Sequence, residues 1–157
     1  MNIAYIDYTL NTKSLDIYVS GCKAPHCEGC HNPELWNYEI GDSLIEGYSK
    51  AENYLNEFDN LIDNVMIFGG EPLEQNPEDL DWLLFSLNNR KFLFKDKIKI
   101  WIFTKYDLEE VPVYIKRRAD YIKCGRYIEG LKTEDNIQYG VKLATSNQQI
   151  FMRGYDF

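Results

Sequence analysis

Apolar positions along the chain fall into two rhythms. Four short runs rich in β-branched and aromatic residues, LDIYVSG at 15–21, NVMIF at 64–68, KIKIWIFT at 97–104 and DYIKCG at 120–125, read as strands. The unbroken run at 64–68 is that of a strand buried on both faces. Between the first two, Leu44, Ile45, Tyr48, Ala51, Leu55 and Phe58 recur at helical spacing behind a Ser43/Glu46 capping box, which predicts a helix of about four turns. Asn76 as N-cap, Pro77 at the first helical position and the acidic pair Glu78 and Asp79 open a second helix, expected to run to about Leu87. The segment YGVKLATSNQQIFMR is expected to add strand near the end.

Strands alternating with helices imply an α/β fold, a mostly parallel sheet with right-handed crossovers. Ligands of such sheets gather at the carboxyl ends of the strands. Three features stand at those ends here: a cysteine-rich loop after 15–21, the tetrapeptide GGEP (Gly69, Gly70, Glu71, Pro72) after 64–68, and Thr104. The topology therefore predicts that they meet.

At 157 residues, one domain spanning 1–157 is expected, large enough to bury a core without disulfides. The 45% hydrophobic and 15% aromatic content is that of a folded globular chain, with no internal repeat. A formal net charge of −8 argues against a nucleic-acid partner, which needs clustered cations to release counterions. The one small basic cluster, Lys116, Arg117 and Arg118, reads as a solvated turn. No basic leader, and no apolar run of the roughly eighteen residues that span a bilayer, is visible, so no membrane association and a cytoplasmic location are expected. In that reducing compartment, cysteines read as metal ligands or catalytic thiols before disulfides.

The stretch GCKAPHCEGCHNPELW, residues 21–36, carries the chemistry. Three occupants compete for Cys22, Cys27 and Cys30. Haem attachment is suggested by the CxxCH spelling of residues 27–31, although such attachment normally follows export. A zinc knuckle would need a fourth ligand from His26 or His31, because Cys124 is far downstream and reads as a small core residue. The third occupant is an iron–sulfur cluster held by three thiolates. A cubane has four irons, so three thiolates leave one iron open to a small-molecule ligand. In GGEP, the glycines permit close backbone approach to a ligand, and Glu71 offers a carboxylate to a cation.

A three-cysteine loop after the first core strand, with GGEP after the second, resembles the radical S-adenosylmethionine family. Within that family, YVSGC, CEGCHNPELW, IFGGEPL, YIKCGRYIEGL and LATSNQQI follow the order seen in the small activating proteins of anaerobic (class III) ribonucleotide reductases. Four residues separate Cys22 from Cys27 where the family's usual loop has three. The resemblance implies an open partial (β/α) barrel, since a closed eight-unit barrel takes about 250 residues. It also implies a [4Fe-4S] cluster on Cys22, Cys27 and Cys30, with S-adenosylmethionine chelated by amino and carboxylate groups to the open iron. Glu71 would then accept from the amino group, with Gly69, Gly70 and Pro72 beside it, while Gly29, His31 and Asn32 border the adenine. The implied reaction reduces the sulfonium by one electron, and the resulting 5′-deoxyadenosyl radical takes hydrogen from a glycine of the reductase. A one-electron donor such as a flavodoxin is implied too. The role of TSNQQ, residues 145–149, is left open.

Overall fold

The computed structural model describes residues 1–94 and 97–157. Among these the chain forms β1 (Asn2–Thr9), β2 (Ser14–Val19), β3 (Asp42–Ser43), α1 (Leu44–Glu57), β4 (Asn64–Gly69), α2 (Pro77–Phe94), β5 (Lys99–Phe103), α3 (Val113–Arg118) and β6 (Tyr121–Cys124). The short pair β7 (Ile137–Gln138) and β8 (Val141–Lys142), then β9 (Gln149–Met152), complete it. Seven strands make one open sheet in the order β3-β1-β2-β4-β5-β6-β9. Its centre, β2, β4, β5 and β6, is parallel, and α1, α2 and α3 each link one of these strands to the next. β1 and β9 pair antiparallel at either side. The fold is thus mixed α/β with a mostly parallel sheet, as the alternation of patterns predicts.

One row of the register shows why these segments choose strand. Ile17, Ile67, Ile102 and Ile122 stand side by side across the four parallel strands, every one fully buried. Their β-branched side chains suit extended backbone and pack as a flat apolar layer. Against this layer lie Ala51 and Leu55 of α1, Leu80, Leu83, Leu84 and Leu87 of α2, and Ile115 of α3. Truncating any one of the isoleucines to alanine costs about 2–5 kcal/mol. The opposite face carries Tyr18, Met66, Phe68, Trp101, Phe103 and Tyr121, and Val141, Leu143 and Ile150 of the C-terminal segment pack with it. Cys124 belongs to the helix-side core, as the sequence suggests, and burial pushes its thiol up to about 12.

The structure corrects the sequence reading in three places. β1 was not foreseen. Its register slips between Ile3 and Tyr5, so Ile3 faces the helices while Tyr5 stacks on Tyr18 of the other face, and the expected two-residue alternation is broken. Second, α2 runs on to Phe94, past the polar NNRK at 88–91 that ends the apolar pattern. Asn88 donates to the carbonyls of Leu84 and Arg118, and buried Arg90 donates to Asn56 and to the Leu55 carbonyl. Third, Lys116, Arg117 and Arg118 form the last turn of α3, where cations favour the helix terminus; Arg118 also pairs with Asp81 at 2.6 Å. The other strand ends agree within two residues, and the Ser43/Glu46 capping box and the Asn76 cap are both formed. Among the described residues no helix is long and apolar enough to cross a membrane.

Candidate iron–sulfur site

Parallel strands deliver their carboxyl ends to one side of a sheet. The ends of β2, β4, β5 and β6 here open onto a cleft of ≈ 310 Å³, and its walls include Cys22, Cys27, Cys30, Gly69, Gly70, Glu71 and Thr104. The predicted meeting of the three sequence features therefore occurs. His31 and Asn32 also line the cleft. Gly29, exposed in the same loop, and Pro72, buried after Glu71, are not among its walls.

The cysteine loop is anchored at its neck. Gly21 N–H donates to the Leu35 carbonyl at 2.7 Å and Cys22 N–H to the Trp36 carbonyl at 3.2 Å, so the segment leaves and returns at adjacent points. His26 is not a free loop side chain. Its ring stacks on Trp36 at 3.8 Å with an interplanar angle of 1°, and its Nε2 lies 2.9 Å from the Cys22 carbonyl oxygen. His31 is exposed and tilts against Tyr127 at 5.0 Å. Arg126, after β6, reaches across to the Pro25 carbonyl at 2.8 Å.

The glycines of GGEP have a use that sequence alone does not reveal. A Cβ on Gly70 would stand 2.3 Å from the Gly21 carbonyl oxygen, and Gly69, at φ +115°, would place one 2.6 Å from that of Val19. The space a side chain would occupy is filled by the backbone of the neighbouring strand end. Gly70 N–H donates to Val19 and Glu71 N–H to Gly21, extending the β2–β4 pairing to the root of the cysteine loop. Glu71 itself is 2% exposed. Its Oε1 accepts from the Thr104 hydroxyl at 2.6 Å and Leu73 N–H at 3.0 Å, and its Oε2 accepts from Lys105 N–H at 2.8 Å. Burial pushes this carboxyl above the usual range, against the pull of those three donors.

Three lysines that the sequence reading passed over line the same cleft, Lys105, Lys123 and the exposed Lys142. Lys105 follows Thr104, and its Nζ lies 3.5 Å from Cys22 Sγ, 2.7 Å from Glu74 Oε1 and 3.0 Å from the Lys23 carbonyl oxygen. Glu74 also accepts from Lys23 N–H and from the Tyr106 hydroxyl. Burial alone would raise the Glu74 carboxyl, but these donors hold it below its ordinary value. Burial pushes the Cys22 thiol up, with Lys105 pulling it down. Lys123 projects from β6 with its ammonium donating to the Gly125 carbonyl at 2.9 Å, and burial lowers its pKa to about 8. Their position at strand ends was the available signal. Behind Lys123, Gln148 of the TSNQQ segment accepts from Ala144 and Thr145 N–H and donates to Gly125, bracing the far wall.

The donor set fits a cluster better than a single ion. Three half-buried thiols share one cleft, and all are free. Each would bind a different iron, so they need not converge on a point. Zinc would ask for a histidine beside the thiols, yet the His26 ring is stacked with its Nε2 against a carbonyl oxygen, and among the described residues no three His, Cys, Asp or Glu side chains are grouped to hold one ion. A sequence profile of the family described as a 4Fe-4S single cluster domain matches residues 13–151. No curated protein and no solved structure matches the chain.

Proposed function

We propose that this chain, which belongs to the family of 4Fe-4S single cluster domains, is a radical S-adenosylmethionine activase that generates a glycyl radical on an anaerobic ribonucleotide reductase. Membership makes it an iron–sulfur protein. One observation carries the finer reading: Cys22, Cys27 and Cys30 open into the same cleft as GGEP, while the fourth cysteine, Cys124, is turned into the helix-side core. A three-thiolate set beside a second wall that carries a carboxylate suits a cluster with one open iron.

Bound together, the cluster and S-adenosylmethionine supply the one-electron chemistry that removes a hydrogen atom from a glycine α-carbon. The protein's own residues bind, orient and exclude water. Glu71 has about four lone-pair sites and uses three, so Oε2 can accept one more donor, here the cofactor's ammonium. Lys123 supplies the opposite charge for its carboxylate. His31 and Asn32, on the cleft wall, border the adenine, with Gly29 in the same loop, and Phe68 with Phe103 keeps the floor dry. In this reading the open sheet is the partial barrel, and its uncovered β1–β2 side, where Tyr5 is 42% exposed, admits a polypeptide. A flavodoxin-like donor supplies the electron.

Electron paramagnetic resonance tests the reading. Reduced anaerobically with S-adenosylmethionine and the reductase, the reconstituted protein should produce a glycine-centred doublet on the partner, absent when that glycine is alanine. A partner without a signal, beside consumption of some small molecule, removes the activase assignment.

A further inference from the structure

Lys105 and Glu74 form a buried ion pair that belongs to neither GGEP nor the cysteine motif. Their side chains are 8% and 6% exposed, and they meet at 2.7 Å. The pair ties three segments together: Glu74 lies between β4 and α2, Lys105 follows β5, and both bond the backbone of Lys23 beside Cys22. Its polarity is also directed. The ammonium lies 3.5 Å from Cys22 Sγ, whereas Glu74 reaches past it to the Tyr106 hydroxyl and Lys23 N–H. Cys22 thus faces the positive end of a charge pair screened from water. Among the described residues no ammonium donates a hydrogen bond to the Cys27 or Cys30 sulfur, although Lys123 acts on Cys27 through its charge.

We propose that Lys105 is a positioning residue that donates to the Cys22 sulfur and raises the cluster's reduction potential, with Glu74 moderating the effect. An electron entering the cluster adds negative charge, which a nearby ammonium and a hydrogen bond to a ligating sulfur stabilise. Glu74, as the counter-charge, offsets part of this. The inference rests on the cluster assignment and is independent of the partner and of S-adenosylmethionine.

The two halves of the pair should move the potential in opposite directions, which a mere structural brace would not do. The full chain is reconstituted with iron and sulfide. Its one-electron couple is then titrated anaerobically with dithionite and an oxidant, followed by electron paramagnetic resonance. Lys105→Met should shift the midpoint to lower potential and Glu74→Gln to higher potential, with iron content unchanged. Because Lys105→Met leaves a buried carboxylate uncompensated, the charge-neutral double variant Lys105→Met/Glu74→Gln is the safeguard; it should keep its cluster and titrate below the wild type. Equal midpoints, shifts of the same sign in both single variants, or loss of the cluster from the double variant overturn the proposal. A wild-type chain that takes up no iron removes the cluster reading first, and this inference with it.

Discussion

The Thr104 hydroxyl donates to Glu71 Oε1 across 2.6 Å, tying the ends of β4 and β5 together inside the protein. With Leu73 N–H and Lys105 N–H on the same carboxylate, Glu71 is a structural hub. Glu71→Ala should lower the stability of the cluster-free chain by about 3 kcal/mol, since each stranded donor costs about 1–3 kcal/mol. Thr104→Val should cost about 1–2 kcal/mol. Urea unfolding checks both, and a Glu71→Ala midpoint equal to the wild type would contradict the hub.

Cluster ligation separates the four cysteines. Replacing Cys22, Cys27 or Cys30 by alanine should abolish the visible absorbance and iron retention of reconstituted protein. Cys124→Ala should keep both and cost about 1 kcal/mol in packing. His31→Ala should keep its iron. An iron-free Cys124 variant that is still folded by circular dichroism would reassign the ligands.

Sterics alone demand glycine at position 70. Gly70→Ala drives a methyl group to 2.3 Å from a backbone carbonyl, so the ends of β2 and β4 must part. Both thermal stability and cluster retention should fall. Gly130→Ala, with nothing within 4 Å, is the control and should shift the melting temperature little. A wild-type melting temperature for Gly70→Ala would show that the strand ends can separate freely.

Lys123 is a buried cation, and Glu71, the acid that acts on it through its charge, already accepts three donors. Its folded pKa, about 8, lies below the ordinary 10.5, so the unfolded chain binds the extra proton between those values. The penalty is therefore fully present below about pH 8 and is relieved as pH rises toward 10.5. Lys123→Met should be more stable than the wild type at pH 7, by on the order of 2 kcal/mol, and the advantage should shrink by pH 10. The same variant should bind S-adenosylmethionine more weakly, yet hold the decarboxylated analogue as well as the wild type does. Equal losses for both ligands would deny Lys123 its carboxylate.

The alternation of apolar strands and capped helices by itself determined the mixed α/β fold and its parallel centre, because periodicity and caps are local properties that each segment carries alone. The cysteine set and GGEP were legible for a like reason: metal-binding and turn chemistry depend on side-chain type and close spacing, and strand-end topology predicts where they meet. Only the tertiary structure decided what depends on contacts between distant segments. It placed β1 despite its bulge, extended α2 through the bonds of Asn88 and Arg90, stacked His26 on Trp36, and filled the space beside Gly70 with the backbone of Gly21. It also set Lys105 against Cys22, residues 83 apart in sequence, where burial from water makes a single charge count. No local pattern records such a pairing, since its energy exists only once both segments are folded around it.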